Sequence, residues 1–223
     1  MHRAARHEEP RPDTLVERLV ESLEQRTPTR QHDASRGNLL GDGRRQILTF
    51  LIPGDFYDLH AFLLDAADHS VGALTPVCVA LMQQEAVSET IAHNTRIAAA
   101  LWWSAMQEAA ILRERVVALG RRDARGRVAY LLCEFLWRHM AVGLAEGHSV
   151  EFPLRQHEIA DALGLTPVHV NRVLQEFRTS RLITLERRRL TIHDVWGLQS
   201  RAGLTPDYLM GTAPQQARVA SAV

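Results

Sequence analysis

Apolar positions recur along the chain in blocks whose period switches between that of a helix and that of a strand. Leu15, Val16, Leu19, Val20 and Leu23 share one helical face, and Thr14 with Glu17 three residues on forms a capping box. This predicts a short amphipathic helix behind a charged, Pro-containing, disordered start, Met1–Pro12. Thr27–Gly43 is polar and carries Pro28, Gly37, Gly41 and Gly43, the composition of a loop or linker. Gln46–Ile52 (QILTFLI) then reads as a mostly buried strand and Pro53-Gly54-Asp55 as a turn. The apolar stretch Phe56–Leu64 is expected to include a short helix, with two further strands at Ser70–Leu74 and Val77–Met82.

Helical spacing dominates from Gln84 onward. A helix is expected over Gln84–His93, broken near His93-Asn94, and a long one over Thr95–Leu119. In the long helix Ile97, Leu101, Ala105, Ala109, Leu112, Val116 and Leu119 recur at three- and four-residue steps, close to a heptad seam, while Glu108, Arg113, Glu114 and Arg115 stay outside it. Such a stripe fits either a helix buried in its own domain or a two-helix seam. Gly120–Gly126 is expected to be a hinge. Arg127–Leu144 is expected to be a helix with Val128, Leu131, Leu132, Phe135, Leu136 and Met140 inward, followed by a short strand at Val150–Phe152. Val195–Leu198 begins a further short helix, and the chain past Leu209 reads as a largely disordered tail.

Between these lies the stretch that organises the rest, Arg155–Glu176. Its first helix, Gln156–Leu163, puts Ile159, Ala160 and Leu163 on one face and His157, Glu158 and Asp161 on the other. Gly164 supplies a left-handed stop, Thr166 an N-cap and Pro167 a first helical residue with no N–H to waste. The second helix runs to about Thr179, with Val170, Val173, Leu174 and Phe177 inward and Val168, His169, Asn171, Arg172 and Gln175 outward. Many helix–Gly–helix pairs are ordinary hairpins, but in a helix-turn-helix this outward face enters the major groove. There Arg172 suits guanine, Asn171 or Gln175 suits adenine, and the Thr166 hydroxyl with the helix N-terminus suits a phosphate. Gln156, opening the first helix, and Pro167 complete the DNA-facing set. Leu182–Leu185 and Leu190–Ile192 then alternate as two strands around the charged tip Glu186-Arg187-Arg188-Arg189, a wing. Such a tip is commonly just solvated; beside this helix pair, Arg187, Arg188 and Arg189 are expected on the DNA backbone.

Charge changes the picture locally. The 223 residues balance at a formal net charge of zero, with 26 Lys and Arg against 26 Asp and Glu. From Thr166 to His193, however, six Arg face two Glu, the local basic surface that phosphate contact needs. Hydrophobic residues make up 46%, enough for a core, and the length allows one large or two small domains. Cys78 and Cys133 lie far apart and read as buried small hydrophobes rather than a disulfide framework or cluster ligands. The eleven His show no zinc-binding spacing, so no metal and no cofactor is expected. Without a phosphate-cradling Gly loop or nucleophile elbow, an enzyme is not expected either. Met1–Pro12 lacks the apolar core of a signal peptide and no run of ~20 apolar residues occurs, so the expectation is a soluble, cytoplasmic protein without membrane contact.

The segments ALGLTPVHVNRVLQEFR and LITLERRRLTIHD resemble the C-terminal winged helix of the Crp/Fnr family of bacterial transcription regulators. The resemblance extends upstream to about Leu39 through DGRRQIL (Asp42–Leu48), Pro53–Asp55, Asp68–Ser70, Ala100–Trp102 and Leu119–Arg125, and is absent from about the first 38 residues. It implies a parallel dimer along the long helix, a hinge coupling sensor to reader, and a cyclic-nucleotide-binding-type β-roll whose second half is the region from Arg44 to Met82. The first half of that roll is missing from the pattern before Leu39, so the sensor is expected to be incomplete, through truncation, a displaced start or altered N-terminal coding. In nucleotide-binding members a Gly-Glu pair holds the ribose and an Arg-Ser pair the cyclic phosphate; Asp58-Leu59 and His69-Ser70 occupy those places here. Leu59 accepts no hydrogen bond and His69 is a poor phosphate fork, so no cyclic-nucleotide response is expected. Arg155 stands where the family usually has a Thr or Ser cap.

The expected fold class is α+β: a partial N-terminal β-roll, a long dimerisation helix and a C-terminal winged helix-turn-helix. The expected division is an N-terminal extension over 1–43, the partial roll over 44–92, the dimerisation helix over 93–121, the DNA-binding domain over 122–196 and a tail over 197–223. The function expected is a homodimeric regulator of double-stranded DNA at a palindromic operator, with RNA polymerase a further candidate partner. The alternative is a family member whose winged helix has become a dimerisation or protein-binding module.

Overall fold

The structure, a computed structural model, describes residues 34–39, 41–56, 70–80 and 82–203. The expected helix from Thr14, the stretch 57–69 with Asp58, Leu59 and His69, and the tail beyond Gly203 lie outside the described residues. The chain divides into two units, Met1–Arg30 with Cys78–Trp103, and Gln31–Val77 with Ser104–Val223. In the first, α1 (Gln84–His93) is followed directly by the start of α2 (Thr95–Arg121), because Asn94 leaves the helical region. The Asn94 side chain then accepts the N–H groups of Arg96 and Ile97, capping α2. Ile97 and Leu101 are half-buried there and Trp102 is 69% exposed.

The second unit is α+β, as its alternating periods require. Its first sheet has the order β2-β1-β3, antiparallel throughout, from β1 (Ala34–Leu39), β2 (Arg45–Leu51) and β3 (Ser70–Ala73). β1 corrects the expectation of a linker over Thr27–Gly43 and of an N-terminal extension reaching residue 43. The strand escapes sequence patterning because it is polar and bulged at Arg36/Gly37, so no alternation of apolar residues marks it. At Gly37 an added Cβ would lie 2.4 Å from the Gln46 carbonyl oxygen, so close pairing with β2 demands glycine. The strand expected at Val77–Met82 is not formed among the described residues of that stretch; an apolar run behind Pro76 without a paired neighbour does not make one.

β2 turns Ile47 and Phe50 into the core shared with α3 (Ala124–Ala141), and Ile52 just beyond it is buried as well. That helix is buried from Val128 to Leu136 on every side. The reason is that the first sheet covers it on one side and the winged domain on the other. β2 also reaches α4 (Gln156–Leu163): Arg45 pairs with Asp161 at 2.9 Å, and the Gln46 amide donates to the Ala162 carbonyl at 3.2 Å. Between sheet, α2 and α3 lies a buried ionic cluster. Arg115 donates to Glu134 at 2.9 Å and stacks over the Phe50 ring, while Arg138 pairs with Asp55 and donates to the Phe50 carbonyl. Burial works against the Arg138 charge, but Asp55 and Glu134 outweigh it and hold the guanidinium pKa above its ordinary value.

Within the expected hinge, Gly120–Gly126, a two-residue link, Arg122-Asp123, joins α2 to α3. The Asp123 carboxylate accepts the Gly126 N–H at 2.8 Å and so caps α3. Arg122 is held by Glu114 at 2.9 Å, by the Gly203 carbonyl and over the Tyr130 ring. In this conformation one cap and one anchored arginine set the link. The chain then forms β4 (Ser149–Glu151), α4, α5 (Pro167–Thr179), β5 (Ile183–Glu186), β6 (Arg189–Ile192) and α6 (Val195–Ala202), the second sheet ordered β4-β6-β5.

Candidate nucleic-acid interface

The two helices at the surface are fixed by local chemistry. α4 begins at Arg155, which cannot accept a capping hydrogen bond; Glu158 compensates by accepting the Arg155 N–H at 2.6 Å. Ile159, Ala160, Ala162 and Leu163 pack inward and Gly164, at φ 61°, ends the helix. Thr166 Oγ1 accepts the His169 N–H at 3.2 Å, and Pro167 opens α5. Val170, Val173, Leu174 and Phe177 are buried, which sets the rotation of α5 and leaves its other face open.

That open face gathers most of the expected residues. Gln156, Pro167, Val168, Asn171, Arg172 and Gln175 line one shallow hollow of about 540 Å³. Val168 is 80% exposed, an apolar side chain with no structural task in the folded chain. Arg172 Nη2 donates to His169 Nε2 at 2.8 Å, so the guanidinium is held by a neighbour one turn back instead of sweeping through solvent. Glu176, the acid nearest this face along the helix, is engaged by Arg125 at 2.6 Å, which holds its carboxyl below the usual range. The Thr166 oxygen is occupied as a cap, leaving its O–H to donate outward.

The wing is tighter than its charge run suggested. Glu186 pairs with Arg189 across the ladder, so only Arg187 and Arg188 form the turn, at φ 48° and 61°. Two positive φ values in a two-residue hairpin loop favour Asn-Gly; arginine there costs ~1–2 kcal/mol per residue. Both side chains are exposed. Arg189 differs from the expectation of a third tip residue: it lies in β6 and pairs with Glu146. Two residues went unnoticed in the sequence, Arg178 and Arg181. With Ile183, Thr184 and His193 they line a second hollow of about 360 Å³ at the base of the wing. The excess of Arg over Thr166–His193 hinted at it, but not at their convergence.

Three antiparallel strands, a helix pair with a capped second helix and a two-residue hairpin define a winged helix-turn-helix protein. Residues 126–201 match the Crp-like helix-turn-helix domain. The transcriptional activator protein FnrL of Cereibacter sphaeroides is 30% identical over 166 residues, 73% of this chain and 66% of that protein. The nitrogen fixation regulation protein FixK of Bradyrhizobium diazoefficiens is 31% identical over 148 residues, 66% of this chain and 61% of that one. The chain belongs to the Crp/Fnr family of transcription regulators. It spans just under two thirds of the length of these curated relatives. Among solved structures, FixK2 from Bradyrhizobium japonicum superposes with a TM-score of 0.66 at 24% identity, covering 80% of this chain and 90% of that one. A CooA mutant from Carboxydothermus hydrogenoformans gives 0.57 at 19% identity, covering 79% and 81%. Among the described residues no helix is long and apolar enough to cross a membrane.

Proposed function

We propose that the protein is a homodimeric, sequence-specific regulator that reads a palindromic DNA operator with α5, and that it is not an enzyme. The single observation carrying this is the open face of α5. Apolar Val168 and the hydrogen-bonding side chains of Asn171, Arg172 and Gln175 line one hollow there, beside a cap with a free O–H. Arg172 takes a guanine, Asn171 or Gln175 an adenine, and Val168 with Pro167 the methyl group of a thymine. Thr166, Gln156 and the wing arginines Arg187 and Arg188 fix the backbone, with Arg189 supporting the hairpin through Glu146.

Dimerisation is assigned to α2. Its inward stripe is Ile111, Arg115 and Ala118, which leaves the expected seam on another face. Ala105, Ala109, Leu112 and Leu119 of that seam are half-buried in one chain and Val116 is 70% exposed, a stripe that a second copy would cover. Ile97 and Leu101 extend the seam at its start. In this division α2 is the dimerisation segment, roughly 93–121, and the DNA-binding domain covers roughly 122–196. A two-fold dimer then sets the two reading helices ~34 Å apart. The residue types at Leu59 and His69 support a protein that does not answer to cyclic nucleotides; calorimetry with cyclic AMP at micromolar concentration checks this and should show no saturable heat.

The test is selection from randomised duplex DNA. The expected result is an enriched palindrome whose half-sites lie one helical turn apart, with affinity falling steeply as salt rises. No enrichment by folded, dimeric protein, with any residual binding insensitive to sequence, would overturn the proposal in favour of a protein-binding module.

A further inference from the structure

Among the described residues four helices end on a left-handed residue, and one of them does so differently. α3, α4 and α6 close on Gly143, Gly164 and Gly203, at φ 73°, 61° and 56°. α5 closes on Arg181, at φ 54°. Its termination is a complete Schellman motif: the Leu182 N–H donates to the Phe177 carbonyl at 2.9 Å and the Arg181 N–H to that of Arg178 at 3.0 Å. Phe177 and Leu182 supply its apolar contact and are both buried. Nothing in this motif requires a side chain at 181, and glycine would sit there without strain. The wing turn makes the same exchange at Arg187 and Arg188. Among the described residues these three arginines are the non-glycines at positive φ. A strained backbone retained three times for one side chain points to a task for the guanidinium.

Arg181 does not stand alone. It shares the hollow at the base of the wing with Arg178, Ile183, Thr184 and His193, and among the described residues no acidic one lines it. Arg178 Nε is buried without a hydrogen-bond partner, and neither guanidinium makes an ion pair among the described residues. Thr184 Oγ1 and His193 Nε2 lie 2.7 Å apart and fix the far wall. Complementing the dipole at the end of α5 accounts for a basic residue in its last turn, such as Arg178. It does not account for arginine at the one position beyond it where the backbone favours glycine or asparagine.

We propose that this hollow binds a backbone phosphate of duplex flanking the operator half-site, a contact separate from the reading face; this rests on the DNA-reading function proposed above. The hollow lies ~16 Å along α5 from Pro167 and ~13 Å along β5 from the wing tip. A flank that curves toward the protein would bring a phosphate to it, and that contact would offset the bending. Paired guanidinium forks match phosphate oxygens. A DNA phosphate is favoured over an acidic peptide because Arg181 leads into β5 and Arg187 and Arg188 leave it, one basic row along one hairpin.

The experiment compares wild type with Arg181→Gly and Arg181→Asn on two duplexes. One ends at the selected operator and the other extends one helical turn beyond it on each side. Both substitutions suit the left-handed position, so the variants fold, and Arg181→Gly should melt at a higher temperature. The expected result is unchanged binding to the short duplex. On the long duplex affinity should be several-fold weaker, with a salt slope shallower by ~1 per half-site. Equal affinity and slope on the long duplex, or an equal loss on both, overturns the proposal. So does a loss seen only when RNA polymerase is added, which would assign the hollow to an acidic protein surface. Failure of wild type to bind any duplex removes the proposed function instead and is read separately.

Discussion

His169 and Arg172 set the character of the reading face at the scale of single residues. Because arginine only donates, the imidazole nitrogen facing it must be unprotonated. Arg172→Ala is expected to cost ~1–3 kcal/mol of binding and to relax selection at one base per half-site, measured against operator variants. An equal loss on all sequences would instead make Arg172 a phosphate contact. His169→Phe should blur selection at the same base while leaving the salt slope intact. The two cysteines give a second residue-scale prediction. Cys133 is buried and its thiol is pushed up to about 12, whereas Cys78 is exposed. A thiol reagent at pH 8 should label one cysteine in the native protein and the other only after denaturation. The sequence suggested that both were buried; Cys78 departs from this because the strand expected around it does not form.

Among the elements, the helix pair and wing were legible because each carries its own punctuation: Gly164, Thr166-Pro167 and alternating strands on either side of a charged tip. β1 was not, since a bulged strand of small and polar residues is recognisable only by its partners β2 and β3. The link between α2 and α3 was legible only as a place, since the Asp123 cap and the Arg122 contacts that set it come from residues in three elements. Within the site, the outward residues of α5 followed from periodicity. Arg189 and Glu146, 43 residues apart, did not, and neither did the convergence of Arg178 with Arg181. Two predictions belong to this scale. Leu112→Glu places a charge in the proposed seam and should yield monomers by sedimentation, with operator binding lost; a retained tight dimer would rule out this interface. Replacing Arg187-Arg188 by Asn-Gly should raise the melting temperature, by relieving two left-handed arginines, yet weaken binding to all duplexes alike.

Over the whole of the second unit, the first sheet and the winged domain share one core. Arg115, Glu134 and Arg138 are buried and Asp55 joins them from an exposed turn, so the four charges balance only while all are present. Arg138→Met should therefore destabilise the protein by ~1–3 kcal/mol in denaturant unfolding, because Asp55 loses its partner and Glu134 is left with Arg115 alone. The sequence placed the sheet and the reader in separate domains, since domain boundaries are read from composition and none of these contacts is local. Joining β2 to α4 through Arg45–Asp161 and Gln46–Ala162 has a thermodynamic consequence. Coupling free energy is reciprocal, so whatever restraint the sheet imposes on the reader, a duplex held by the reader returns to the sheet. Amide hydrogens along β1 and β2, which never approach the DNA, should therefore exchange with solvent more slowly once the operator is bound.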